Sequence, residues 1–255
     1  ETNLIEGNTS ARVTTIFVSD VHLSDKRGKK VELFLAFLKF AQQKCEALYI
    51  LGDLFDLWLG DDDNTPPHPD ILTALRAVSD NGVALYIALG NRDFLIGRDF
   101  CEKTGAKLLS DYALIDLYGT KTLITHGDLL CTKDTKYQLF RKIVRHPLII
   151  QIFLLIPLYI RKKIADRTQA KTSASMRKKN NEIMDVEQTT VETIMSKYQV
   201  SLLIHGHTHR PNTHVFKAHC KTLQRIVLGD WYEQDSVLVC QPNGRNLLKI
   251  RDYLR

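Results

Sequence analysis

Six short apolar runs punctuate the chain, and each stops at a cluster drawn from Gly, Asp, Asn and His. TTIFV (14–18) leads into Ser19-Asp20-Val21-His22, ALYIL (47–51) into Gly52-Asp53, and VALYIAL (83–89) into Gly90-Asn91-Arg92-Asp93. TLIT (122–125) leads into His126-Gly127-Asp128, SLLI (201–204) into His205-Gly206-His207-Thr208-His209, and IVL (226–228) into Gly229-Asp230-Trp231. Runs this short, rich in β-branched residues and bounded by Gly, are buried strands rather than helices. Helical patterns lie between the first few. Val31–Gln43 puts Leu33, Phe34, Phe37, Leu38 and Ala41 on one face, and Asp70–Asp80 ends at Asn81-Gly82. Strand alternating with helix predicts a layered α/β fold, with more hairpin-like strands later in the chain.

The spacing of the clusters predicts an insertion. Asp20 to Asp53 is 33 residues, Asp53 to Asn91 is 38 and Asn91 to His126 is 35, each about one strand–helix–strand unit. His126 to His205 is 79, twice as long, and the surplus coincides with a block of unusual charge. Residues 133–181 carry thirteen Lys and Arg against Asp134 and Asp166, a net +11, whereas the rest of the chain is net −5. This predicts a core of residues 13–132 and 182–255 and a helical insertion at 133–181, with Pro147 and Pro157 marking helix starts or kinks.

Several classes are excluded. With 44% hydrophobic and 25% charged residues the chain can build a core, and it lacks the bias of a disordered segment. Its longest apolar run, Leu148–Ile160, is interrupted by Gln151 and Pro157 and falls short of the ~20 residues that span a bilayer. Residues 1–12 contain Glu1 and Glu6 without an apolar stretch and are read as a polar lead-in, not a secretory signal. Cys45, Cys101, Cys131, Cys220 and Cys240 form no Cys-x-x-Cys pair, so free thiols and a cytoplasmic chain are expected.

In an α/β sheet, ligands gather at the carboxyl ends of the strands. Asp20, His22, Asp53, Asn91, His126, His205 and His207 follow the apolar runs: two carboxylates, one amide and four imidazoles. Two divalent ions with about four ligands each, sharing one carboxylate, need seven residues. The mixed N/O set suits Mn²⁺, Fe²⁺ or Zn²⁺ better than Ca²⁺ or Mg²⁺. Asp53 is the natural bridge, because Gly52 lets the backbone turn tightly beneath it. His68, His146, His214 and His219 are read as surface or structural histidines.

The ordered set Asp-x-His, Gly-Asp, Gly-Asn, His-Gly and Gly-His-x-His resembles the calcineurin-like metallophosphoesterases over about residues 14–235. The resemblance implies a four-layer αββα sandwich with a dinuclear site. One metal would take Asp20, His22, Asp53 and His207, the other Asp53, Asn91, His126 and His205. That family usually has Gly-Asn-His at the third motif; this chain has Arg92, which cannot donate a proton at neutral pH but can grip a phosphate. GNRDFL (90–95), GDLFDLWLGDDD (52–63) and IHGHTHRP (204–211), with HGDLLC (126–131) and IMDV (183–186), resemble the branch acting on UDP-2,3-diacylglucosamine in lipid A biosynthesis of Gram-negative bacteria.

That resemblance implies two divalent ions, most suitably Mn²⁺, and an activated water attacking the α-phosphorus to give UMP and 2,3-diacylglucosamine 1-phosphate. Asn91, Arg92 and His126 would carry the chemistry. Substrate would be held by Asn91, Arg92, Asp134, Tyr137, Thr172, Met176, Lys179 and His205. Met176 stands where the family has Asn, and Gln169 where it has Arg. A monomer, peripheral on the cytoplasmic side of the inner membrane, is expected. The insertion fits: LIIQIFLLIPLYI is flanked by Arg141, Lys142 and Arg145 and by Arg161, Lys162 and Lys163, a pattern suited to a lipid interface or acyl chamber. A cap that merely completes the core is the plainer alternative. A nucleic-acid partner is not expected, since Tyr137, Phe140, Phe153 and Tyr159 sit in or near the aliphatic face rather than among the charges. Asp61-Asp62-Asp63 is read as a solvated turn, Cys131 as a buried thiol, and Trp58 and Trp231 as either core residues or a stacking surface for uridine.

Overall fold

The computed structural model describes residues 12–25, 28–176 (169–176 for the backbone alone), 185–218, 220–232 and 234–254. Strands β1 (Thr15–Val18), β2 (Ala47–Ile50) and β3 (Ala84–Ile87) are the first three apolar runs, connected by α1 (Gly28–Lys44) and α2 (His68–Asp80). Helix α3 (Arg98–Thr104) leads to β4 (Lys107–Leu108), and β5 (Ala113–Leu117) pairs with β6 (Thr120–Thr125) as a hairpin. Three helices follow: α4 (Thr135–Val144), α5 (Pro147–Leu154) and α6 (Leu158–Met176). The chain continues through α7 (Gln188–Tyr198), β7 (Leu202–His205), the hairpins β8 (Asn212–Ala218) with β9 (Lys221–Val227) and β10 (Ser236–Gln241) with β11 (Gly244–Lys249), and α8 (Ile250–Tyr253).

The strands form two sheets, ordered β11-β10-β1-β2-β3-β4 and β5-β6-β7-β9-β8. β1 to β4 run parallel in the first, and β6, β7 and β9 run parallel in the second. Each core strand is apolar on both faces because both are covered. In β1, Phe17 joins Tyr49, Ile124, Leu202 and Ile204 between the sheets, while Ile16 and Val18 pack outward on Phe34, Phe37 and Leu38 of α1 and Ile71 of α2. On the other outer face Leu123, Leu203 and Leu223 meet Val191 and Met195 of α7. Helix, sheet, sheet, helix are therefore the four layers, as expected. Fully burying each Phe or Leu stabilises the stack by about 1.5–3 kcal/mol.

Two expectations change and one open alternative is decided. Asp61–Asp63 is a bracket, not a solvated turn. The Asp61 carboxylate accepts N–H bonds from Gly97 (3.1 Å), Phe100 (3.0 Å) and the Trp58 indole (3.1 Å), while Asp62 pairs with Arg161 and Asp63 lies 3.6 Å from Lys162. The basic shoulders are largely spent on such internal pairs: Arg161 is 2% exposed and also donates to the Leu59 and Ile156 carbonyls. Of the six flanking cations only Lys142 and Lys163 are exposed. Trp58 and Trp231 are core residues, packed on Phe55 and Phe100 and on Phe34 and Phe37. His68 is buried against Phe55 and Trp58, and none of the five cysteines forms a disulfide.

Replacing Arg161 by Met should strand the Leu59 carbonyl while leaving exposed Asp62 to water, costing about 1–3 kcal/mol. Thermal denaturation should show a lowered Tm for Arg161→Met and none for exposed Lys163→Met.

Candidate active site

Where the parallel strands end, the backbone is forced into the left-handed region. Asp20, His22, Asp53, His207 and His209 have φ of 53, 52, 53, 70 and 55°. Non-Gly residues held in such conformations cost of order 1–3 kcal/mol each and persist only where their surroundings hold them. Here the Asp20 N–H donates to the Gly52 carbonyl (3.0 Å), His22 to Asp53 (2.9 Å) and Gly206 to His126 (2.8 Å). Gly90 and Gly206 are obligatory by close approach. A Cβ on the first would collide with the Asp53 carboxylate, and one on the second with Ser19 and Asp20.

Two clusters result. In the first, ligand-type atoms of Asp20, His22 and His209 lie within 4.8 Å of one another. His209 sits between two carboxylates, its Nε2 3.2 Å from Asp20 Oδ1 and its Nδ1 3.2 Å from Asp230 Oδ2. Burial opposes its charge, but these carboxylates raise it to about 10. His22 is buried with neither ring nitrogen hydrogen-bonded, 3.8 Å from Asp53 Oδ2, and burial lowers it to about 3. A neutral imidazole with two orphaned nitrogens facing carboxylates is costly unless a cation completes it.

In the second cluster the His126 Nδ1–H donates to the Leu51 carbonyl (2.8 Å), and in the neutral ring this leaves the lone pair on Nε2, 3.1 Å from Asn91 Oδ1. His207 Nδ1 is 3.2 Å from the same oxygen. One amide oxygen gathered with two imidazole nitrogens at this spacing is a donor set that suits a divalent cation. Asp53 lies between the clusters, its Oδ2 3.8 Å from His22 and 4.0 Å from His126. Burial, reinforced by Asp93 and Asp20, pushes its carboxyl up to about 7, a further sign that positive charge is in demand here.

The histidine assignment differs from expectation. His209, not His207, stands beside Asp20 and His22, while His207 takes the place beside Asn91 and His126 expected for His205. His205 is the last residue of β7, so strand alternation puts it on the outer face with Leu203; its Nδ1 is 2.8 Å from the Gly206 carbonyl oxygen. Residues 207 and 209 lie beyond the strand, two apart in a left-handed turn, and both face the strand ends. The signal was in the chain: Gly206-His207-Thr208-His209 is itself the Gly-His-x-His motif, and counting from the apolar run instead of the glycine shifts the pair by one step.

Three further carboxylates organise the site. Asp93 accepts the Gly90 N–H (2.8 Å) and the Leu54 N–H (2.7 Å), tying the loops after β2 and β3 together. Asp230 orients His209. Asp128, 1% exposed, takes the Tyr137 hydroxyl (2.9 Å) and Arg141 (2.6 Å). The Arg92 N–H donates to Asp53 (2.8 Å), and its guanidinium has no hydrogen-bond partner among the described residues. Tyr137 stacks toward His207, ring centroids 6.3 Å apart, and Asp134 caps α4. Thr172 and Met176 fall on α6, where side chains are outside the described set; Lys179, Ile183 and Met184 lie outside the described residues.

Residues 13–211 match the calcineurin-like phosphoesterase family model. The UDP-2,3-diacylglucosamine hydrolase of Vibrio parahaemolyticus serotype O3:K6 is 49% identical over 235 residues, 92% of this chain and 97% of that protein. The protein of the same name from Photobacterium profundum is 44% identical over 241 residues, covering 94% and 98%. That from Escherichia coli O81 is 45% identical over 226 residues, covering 89% and 94%. On the match to the family model and the near full-length identity to these relatives, the chain belongs to the calcineurin-like phosphoesterases and, within them, to the UDP-2,3-diacylglucosamine hydrolase family.

Proposed function

We propose that this protein hydrolyses the pyrophosphate bond of UDP-2,3-diacylglucosamine in lipid A biosynthesis, releasing UMP and 2,3-diacylglucosamine 1-phosphate. The near full-length identity to hydrolases of that substrate carries the reading. Two structural features support it: the paired clusters at the strand ends, and an apolar surface beside them.

Asp20, His22, Asp53 and His209 would hold one divalent ion, and Asp53, Asn91, His126 and His207 a second, with Mn²⁺ the best match to this N/O set. Such ions supply Lewis-acid polarisation of phosphate oxygens and a water ionised at neutral pH. The chain's own residues do the rest. The Leu51 carbonyl and Asp230 fix the tautomers of His126 and His209, so each presents Nε2. The water oxygen bonds to the α-phosphorus, the bridging P–O bond breaks, and its electron pair leaves on the sugar phosphate. A phosphate leaves as a stable anion and needs no proton donor, which accounts for Arg92 in place of a histidine. Its planar fork is suited to the charge that develops on the phosphates.

Helices α4 to α6 would hold the acyl chains. Ile150 and Phe153 alone of the central stretch pack on the core, while Leu148, Ile152 and Leu155 are 61, 61 and 84% exposed and Leu139 and Tyr159 62 and 64%. A cap that merely completed the core would bury them. No helix among the described residues is long and apolar enough to cross a membrane. The same surface would seat a monomer peripherally on the cytoplasmic face of the inner membrane, with Lys142 and Lys163 toward anionic headgroups.

Purified protein given Mn²⁺ and UDP-2,3-diacylglucosamine should release UMP, and chelation should abolish release; fully active chelated enzyme would sink the metal reading. For the histidines, His209→Ala should lose metal on dialysis while His205→Ala keeps it, and Asp230→Asn should weaken metal affinity by about 10–100-fold. Metal analysis of the three variants is the check. Ile152→Ser with Leu155→Ser should leave Tm unchanged, because both are exposed. It should raise KM for the diacylated substrate, each side chain contributing about 1.5–3 kcal/mol where acyl chains cover it. An unacylated UDP-sugar should be hydrolysed as before; equal losses on both would make the segment simple packing.

A further inference from the structure

Helix α4 is amphipathic the wrong way round for a water-soluble cover. Tyr137, Arg141 and Arg145 fall one turn apart on a single face. That face is turned inward, while Leu139, Phe140 and Ile143 are 62, 49 and 52% exposed. Its docking therefore rests on polar bonds, and these converge on one atom. Asp128 Oδ2 accepts from the Tyr137 hydroxyl (2.9 Å), Arg141 Nε (2.6 Å) and Arg145 Nη2 (3.4 Å). Arg141 Nη2 is also bonded to Asp111 (2.8 Å), and Arg145 Nη2 donates to the Gly90 carbonyl (2.7 Å). The guanidinium of Arg145 lies 5.6 Å from the Phe94 ring centroid.

What these bonds reach matters more than their number. Asp128 is two residues after His126, and Gly90 immediately precedes Asn91. Arg145 thus grips both loops that bring His126 and Asn91 together, from a helix that supplies no residue to either cluster. The loops carrying Asp20, His22 and His209 have no such bond to α4 among the described residues.

We infer that Asp128 and Arg145 are positioning residues that lock α4 across the two loops carrying Asn91 and His126, so that docking of this helix sets the geometry of the second cation cluster. This rests on the reading of Asn91 and His126 as metal ligands. Seating of the acyl chains on the outer face of α4 and organisation of the reacting centre on its inner face then become one coupled event. A buried carboxylate shared by two guanidiniums suits this role, since polar pairs fix one arrangement where apolar contacts tolerate several.

Titration of the metal-free full chain with Mn²⁺, followed by calorimetry, tests this. Wild type should take up two equivalents. Arg145→Met keeps a stem over Phe94 but loses both bonds, and should weaken one equivalent by about tenfold or more, the scale of an outer-shell loss, with the other unchanged. Asp128→Asn should do the same, and Asp128→Glu should recover part of the loss. Arg161→Met, which loosens the far end of the insertion, should lower Tm with both equivalents intact. Native Mn²⁺ binding in folded Arg145→Met would overturn the inference, and so would equal weakening of both equivalents or an equal effect of Arg161→Met. A wild-type chain that takes up fewer than two Mn²⁺ would overturn the ligand reading, and the inference with it. Should Asp128→Asn fail to fold, Arg145→Met decides the matter alone.

Discussion

One carboxylate holds the two sheets in register at their functional edge. Asp20 is wholly buried, and each of its polar atoms reaches a different part of the chain. Its N–H donates to Gly52 after β2, and its carbonyl accepts from Trp231 after β9 (3.2 Å). Its Oδ2 takes the Ser19 hydroxyl (2.6 Å) and the His207 N–H (2.8 Å), and its Oδ1 faces His209. Burial alone would neutralise it, yet His209, His126 and His22 hold its carboxyl well below the usual range. That charge is one tie between the loops of the two sheets at this edge, and the His126 bond to the Leu51 carbonyl is a second.

The strained turns and orphaned nitrogens around Asp20 are local losses of stability. They are offset by three separate apolar layers, in which Phe17, Tyr49 and Tyr86 stack at 4.8 and 4.5 Å between the sheets. Stability resides in the layers and chemistry at their rim, which leaves the rim free to carry conformations that no core would accept. The insertion follows another logic: its anchors are largely ionic and face inward, and most of its apolar side chains, Ile150 and Phe153 apart, face out.

The layers and most of the site were legible because strands buried on both faces write themselves as unbroken apolar runs, and the residue after each run falls at the functional edge. His205 defeated that rule, since the run ended one residue before the strand did. The bracket Asp61–Asp63 and the anchors Arg141, Arg145 and Arg161 were misread for a different reason. Composition reports charge but not pairing, and partners 30 and 99 residues apart in the chain, Asp111 and Arg141 or Asp62 and Arg161, leave no local pattern. Edge strands such as β8, exposed on alternate residues and facing water, carry too little apolar signal to stand out.

The contact between Asp20 and His209 spans 189 residues of chain. Loop closure grows only logarithmically with length, so this separation costs little more stability than a short one, but contacts so distant form slowly. On a ribosome the order is fixed. Asp20 emerges early and keeps its water until β7 and the turn after it have been made. The first sheet can assemble its parallel strands in that interval, yet the imidazole that completes its edge arrives only with the last fifth of the chain. The strands β9 and β10, which pair with β7 and β1, are made later still, so a nascent chain halted before His209 lacks both the imidazole of the rim and the strands that complete the layers behind it.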